Sequence, residues 1–187
     1  MKYHNITKDD MLNGDGIRVV LWVSGCSHHC KGCQNPITWN PDDGLEVTTE
    51  TWIELTSELE KDYVSGITFS GGDPLHPDNR KVILFMAKNM KKEFPGKTIW
   101  MYSGYTWEQI MDDESMKEIM MYVDVLVDGK FEEDKLDKQY HWAGSTNQRI
   151  IDVQKSIGKG KVVLHESSEE GWNSGSIQFT ENCKCSS

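Results

Sequence analysis

The chain has 187 residues, 37% of them hydrophobic and 27% charged, with a net charge of −10. That length suffices for one domain with its own core, and the acid excess excludes the basic face that a nucleic-acid binder needs. The longest apolar runs are strand-sized, too short to span a membrane, and residues 1–10 lack the apolar segment of a secretory signal. A cytoplasmic location is therefore expected, where thiols stay reduced and clustered cysteines favour metal or redox chemistry.

Residues 1–16 are polar, carry no clear element, and close on Asn13-Gly14-Asp15-Gly16, a turn that needs positive φ. Residues 17–23 form a near-continuous apolar run, as in a strand buried on both faces. Arg18 lies inside this strand. Burying it unpaired is expensive, so a carboxylate partner near the functional site is expected. The next loop, 24–36, holds Cys26, Cys30 and Cys33, and residues 36–44 read as irregular. Thr48 or Thr49 caps a helix with Glu50 in its first turn and Trp52, Leu55, Leu59 and Tyr63 on one face.

A second strand over 66–70 runs into Gly71-Gly72-Asp73-Pro74. A helix from Asp78 to Phe94 carries Val82, Met86 and Met90 on one side and stops at Pro95-Gly96. A third strand covers 98–102. Thr106 with Gln109, and Ser115 with Glu118, read as capping boxes of two short helices separated by a break at 112–114. A fourth strand over 123–127 ends at Asp128-Gly129. Residues 149–153 and 161–164 read as short strands. Residues 166–187, which include Cys183 and Cys185, read as a polar C-terminal tail with no assigned role.

Strand and helix alternate, which predicts an α/β fold of parallel βαβ units. The residues that carry chemistry follow strand C-terminal ends: Cys26, Gly71, Ser103 and Asp128. That edge holds the active site in βα barrels and open α/β sheets. Tyr102, Ser103 and Tyr105 can line a pocket there.

The three loop cysteines are spaced C-x3-C-x2-C. Three thiolates on one iron–sulfur cluster leave one iron open. A zinc site completed by His28 or His29 is the competing reading. Structural zinc usually takes its ligands as two separated pairs, so the spacing favours the cluster without closing the matter.

The wider pattern carries a resemblance. The three-cysteine loop after the first buried strand resembles that of radical S-adenosylmethionine enzymes. Asn13-Gly-Asp-Gly-x-Arg18, Gly25-Cys-x-His-x-Cys-x-Gly-Cys-x-Asn-Pro36 with Trp39, Gly71-Gly-Asp-Pro-Leu75, Tyr102-x-Gly-Tyr105, Val127-Asp-Gly-Lys-Phe131 and Gly144-Ser-x-Asn-Gln148 together resemble the glycyl-radical-enzyme activases of the anaerobic ribonucleoside-triphosphate reductase. The resemblance implies a radical S-adenosylmethionine domain over 1–165, an incomplete, open (β/α) barrel with mostly parallel strands. It implies a 4Fe–4S cluster on Cys26, Cys30 and Cys33, with S-adenosylmethionine chelated to the open iron.

It further implies reductive cleavage to a 5′-deoxyadenosyl radical, which takes a hydrogen atom from a glycine of the partner reductase. A flavodoxin- or ferredoxin-type donor would supply the electron. By the same resemblance Gly71, Gly72 and Asp73 would hold the methionine ammonium, although many wider relatives have Glu at the place of Asp73. Gly32, Cys33 and Gln34 would flank the adenine. Asp128 and Lys130 would contact the cofactor or the substrate loop, or else form a surface ion pair. Activation of another glycyl-radical enzyme, and a non-catalytic zinc-binding module, are the alternatives.

Overall fold

The computed structural model describes residues 1–166. The tail, apart from Glu166, lies outside the described residues, and so do Cys183 and Cys185. The strands are β1 (Lys2–Asp10), β2 (Ile17–Val23), β3 (Leu45–Glu46), β4 (Val64–Gly71), β5 (Thr98–Ser103), β6 (Val125–Asp128) and β7 (Arg149–Asp152). The helices are α1 (Thr49–Leu59), α2 (Pro77–Glu93), α3 (Trp107–Asp112), α4 (Glu114–Met120) and α5 (Val153–Lys159). One open sheet runs β3-β1-β2-β4-β5-β6-β7. Its centre, β2-β4-β5-β6, is parallel as expected. Its margins are antiparallel, so the sheet is mixed. Among the described residues no helix is long and apolar enough to cross a membrane.

Strand alternation sorts the side chains into two layers. Val19, Leu21 and Val23, with Ile67, Phe69, Ile99 and Met101, pack under the helices in the main core. Leu55 and Leu59 of α1 and Ile83, Met86 and Met90 of α2 cover them. The opposite face is smaller and more polar. Trp100, Val125, Val127 and Ile150 form its apolar cluster. Arg18, Thr68 and Ser70 are buried in the sheet as well.

Several local expectations change. Residues 2–10, polar and given no element from the sequence, form a nine-residue strand. Its residues are half-buried or exposed; it is held by ladders to β2 and β3 and by Tyr3 and Ile6 against the core, which a mostly polar sequence does not announce. Helix α1 ends at Leu59, leaving Tyr63 beyond it and 53% exposed. The cap of α4 is Asp113, whose carboxylate accepts from the Ser115 and Met116 amides; Ser115 is already inside the helix. Residues 161–164 contribute only an isolated bridge from Leu164 to Ile151, and 153–159 form α5, capped by Asp152 and closed by left-handed Gly160.

Arg18 is also not where it was expected. It is fully buried near the start of β2, opposite Gly66, and away from the strand C-terminal ends. Among the described residues it has no carboxylate hydrogen-bond partner. Its five N–H donors go to Thr68 Oγ1, Thr98 Oγ1 and the carbonyls of Asp15, Ile67 and Thr98, at 2.8–3.0 Å. The guanidinium also lies 5.5 Å from the Trp100 ring centroid. Burial pulls its pKa down to about 10, and the nearby negative charge of Asp15 opposes that fall, so the group stays charged at neutral pH.

Candidate iron–sulfur site at the strand C-terminal edge

The cysteine loop leaves β2 through Ser24 and folds back on itself. Gly25 sits at φ 96° and Gly32 at φ 71°, while His29 is a non-glycine residue in the left-handed region at φ 47°. The Gly25 and Cys26 amides donate to the carbonyls of Thr38 and Trp39, which ties the loop to the short 3-10 turn at Pro36–Thr38. The Cys33 amide donates to the Cys30 carbonyl. These bonds bring three half-buried sulfurs to one edge.

Cys26, Cys30 and Cys33 border a single cavity of about 200 Å³. Gly71, Gly72 and Asp73 after β4 form its second wall, and Tyr102, Ser103 and Gly104 at the end of β5 a third. Gly129 and Phe131 after β6, with Gly144 and Gln148 before β7, close it further. A larger hollow of about 650 Å³ opens at the other edge, where β4, β5 and β6 begin, and among the described residues no cysteine borders it.

Backbone amides are directed at each sulfur. The Asn35 amide donates to Cys33 Sγ at 3.4 Å, and the amides of His28 and His29 near Cys26, and of Phe131 near Cys30, favour the charged form of those sulfurs. Burial nevertheless pushes the Cys26 thiol up to about 11, and burial also raises Cys30. Thiols so placed become thiolates only against a positive centre, and the amides suit sulfur that carries negative charge. Among the described residues no three His, Cys, Asp or Glu side chains close on one point as a single-ion site. A cluster has its own width, so its ligands need not meet at one point.

The Gly71-Gly72-Asp73 turn is stitched to the same loop. The Gly72 amide donates to the Val23 carbonyl and the Asp73 amide to Gly25, both at 2.7 Å. A Cβ on Gly72 would lie 2.6 Å from the Gly25 carbonyl oxygen, so the approach itself demands glycine. The Asp73 side chain is 2% exposed and accepts hydrogen bonds from Leu75, Ser103, Gly104 and His28.

Gln34 borders the cavity beside Cys33, whereas Gly32 lies outside its lining and packs against Glu133, which also pairs with Lys31. Asp128 and Lys130 do not pair with each other. Asp128 is buried, accepts from the Trp107 amide, and pairs with Arg149, which continues to Glu108. Lys130 is exposed, and its carbonyl accepts from Asn147. The cavity is instead bordered by their neighbours, Gly129 and Phe131. Gln148, near the end of the Gly144 segment, accepts from the Gly144 and Ser145 amides and donates to the Gly129 carbonyl.

Tyr102 and Ser103 border the cavity as expected, and burial raises the Tyr102 pKa. Tyr105 packs edge-on against His28 instead. Asn13, Trp22, Ser70 and Phe131 were not singled out as cavity residues from the sequence. Strand alternation was the available signal for Trp22 and Ser70, since both fall on the face away from the helices.

Comparison with known proteins agrees with this geometry. Residues 12–151 match a family model described as a 4Fe-4S single cluster domain. The anaerobic ribonucleoside-triphosphate reductase-activating protein of enterobacteria phage T4 is 46% identical over 150 residues, covering 80% of this chain and 93% of that protein. The proteins of the same name from Pasteurella multocida and Escherichia coli (strain K12) are 41% and 39% identical over 152 residues, covering 80% of this chain and 96% and 97% of theirs. The chain belongs to the family of anaerobic ribonucleoside-triphosphate reductase-activating proteins.

Proposed function

We propose that this protein activates an anaerobic ribonucleoside-triphosphate reductase as a radical S-adenosylmethionine enzyme. The observation that carries the reading is the sharing of one cavity by three cysteine sulfurs and the Gly-Gly turn at the C-terminal ends of the parallel central strands. Cys26, Cys30 and Cys33 would hold a 4Fe–4S cluster with one iron left open. When bound and reduced, the cluster supplies the electron that splits S-adenosylmethionine into methionine and the 5′-deoxyadenosyl radical that removes a hydrogen atom from a glycine of the reductase.

The chain's own residues bind and orient. The amides of His28, His29, Phe131 and Asn35 offset negative charge on the sulfurs. Gly71 and Gly72 bring backbone rather than side chain to the cavity wall, where a methionine ammonium can approach a carbonyl. Gln34 flanks Cys33 at the cavity, where the resemblance puts the adenine, whereas Gly32 lies outside that lining. Asp128 does not line the cavity; through Arg149 and the Trp107 amide it holds β6 beside β7 and α3, and thereby Gly129 at the wall. Lys130, exposed beside that wall, suits contact with the incoming substrate loop. The open sheet leaves room for a loop of a large partner, and a flavodoxin or ferredoxin would deliver the electron.

The test is anaerobic. Protein kept from oxygen is expected to bind iron and sulfide and, with S-adenosylmethionine and a reductant, to produce a glycyl doublet in the EPR spectrum of the reductase. Each of Cys26→Ala, Cys30→Ala and Cys33→Ala should abolish cleavage of S-adenosylmethionine. Zinc without iron would end the proposal in favour of a zinc-binding module. A doublet only on a different glycyl-radical enzyme would transfer the activity to that partner.

A further inference from the structure

Asp73 stands where the family resemblance expects a group that meets the cofactor, yet its carboxylate is already engaged. Its Oδ1 accepts from the Leu75 amide at 2.8 Å and from Ser103 Oγ at 3.0 Å. Its Oδ2 accepts from the Gly104 amide at 3.0 Å, and the His28 ring nitrogen Nε2 lies 2.7 Å from it. A carboxylate offers about four acceptor positions. Four donors fill them, and the side chain is 2% exposed. Three strand-end loops therefore meet on one side chain: the cysteine loop through His28, the turn after β4 through Asp73 and Leu75, and the end of β5 through Ser103 and Gly104.

His28 is equally confined. Its side chain is 8% exposed, and its ring stands edge-on to Tyr105 with centroids 4.6 Å apart. Gly104 leaves it no slack, because a Cβ there would lie 2.4 Å from the ring. His28 sits midway between Cys26 and Cys30, its own amide is directed at the Cys26 sulfur, and the next residue, His29, takes the costly left-handed conformation. Holding the ring holds the loop between its first two cysteines.

We propose that His28 and Asp73 form a positioning latch that sets the cysteine loop against the Gly71-Gly72 turn, with Asp73 serving as its anchor and not as a contact to S-adenosylmethionine. The inference rests on the cluster reading above. Its consequence is one of registration: cluster and methionine site come from loops 45 residues apart in sequence; the backbone bonds from Gly72 to Val23 and from Asp73 to Gly25 join their bases, and the His28–Asp73 bond fixes the middle of the cysteine loop above them. Misplacement by about 1 Å at such a site can cost about 100-fold in rate.

The test uses His28→Leu, which keeps bulk but loses the donor, and His28→Gln, whose amide N–H can reach the same oxygen. Readouts are iron and sulfide per chain, the EPR spectrum of the reduced cluster with and without S-adenosylmethionine, the S-adenosylmethionine Kd, and the alkylation rates of the three cysteines in cluster-free protein. His28→Leu is expected to weaken S-adenosylmethionine binding by at least about 10-fold, to blunt the EPR change on its addition, and to speed alkylation of Cys26 by a similar factor. His28→Gln should recover each to within about threefold.

Wild-type EPR, Kd and alkylation in His28→Leu would overturn the latch. So would a His28→Gln variant as impaired as His28→Leu, since the hydrogen bond would then not be the operative feature. Should wild-type protein itself take up no iron and sulfide, the cluster reading fails, and the alkylation rates still decide whether the latch holds the loop.

Discussion

Replacing Arg18 with lysine isolates the part played by the buried guanidinium. Arg18 meets five acceptors with five N–H donors and has no carboxylate partner among them. Lysine keeps the charge but carries three donors, so at least two acceptors lose their partner. An unsatisfied buried acceptor costs about 1–3 kcal/mol, which places Arg18→Lys about 2–6 kcal/mol below wild type. That is a large share of the roughly 5–15 kcal/mol that holds an ordinary domain together. With a urea dependence of about 2 kcal/mol/M, the unfolding midpoint should fall by about 1–3 M.

Tryptophan fluorescence can follow the transition, since Trp100 lies 5.5 Å from the guanidinium. Folded Arg18→Lys protein should still take up iron and sulfide, because Arg18 sits near the start of β2 and the cysteines follow its end. A midpoint within about 0.3 M of wild type would refute the reasoning, for it would mean that the five acceptors are satisfied without the guanidinium.

Gly72→Ala should crowd the cysteine loop, because the new Cβ would meet the Gly25 carbonyl at 2.6 Å. A loss of about 1–3 kcal/mol in thermal unfolding and reduced iron content are expected, and unchanged iron content would refute the close approach. Arg149→Gln leaves the buried Asp128 short of its charged partner, and a destabilisation of about 3–5 kcal/mol should appear in denaturant melts.

Acid should weaken the fold through two carboxyls. The hydrogen bond from Arg149 holds Glu108 down at about 2, and the hydrogen bond from Ser115 does the same for Asp113. Lowered folded pKa values contribute stability that is complete above their ordinary values of 4.5 and 3.8 and drains as pH falls towards about 2. Both groups face solvent, so the slope should be shallow and flatten in salt. Melting temperatures from about pH 5 to about pH 2, with Ser115→Ala as control, check this; a wild-type slope identical to that of Ser115→Ala would remove Asp113 from the account.

The candidate site was legible wherever its parts are local. The spacing of Cys26, Cys30 and Cys33 confines the sulfurs to one loop, and the apolar run before it marks the strand that delivers them. Gly71, Ser103 and Asp128 end parallel strands, so helix–strand alternation brought the right edge into view without coordinates. Strand β1 was not legible, because its residues other than Ile6 are polar or half-polar and only Tyr3 and Ile6 pack against the core, so pairing with β2 carries much of its order.

What the sequence determined by itself is the chemistry available: three thiols in a tight loop, a glycine turn able to approach them, and a parallel core that puts both at one end. What only the tertiary structure decided is which polar groups meet. Arg18 finds carbonyls and hydroxyls from strands that lie 49 and 80 residues away in sequence, not a carboxylate. Asp128 turns to Arg149 rather than Lys130. Asp73 is consumed by His28 and the end of β5. A buried polar group must be satisfied, but many partners can satisfy it, and residue types along the chain do not say which will be within 3 Å. Packing makes that choice, and here it is the packing of three loops on one carboxylate that sets the cysteine loop in place.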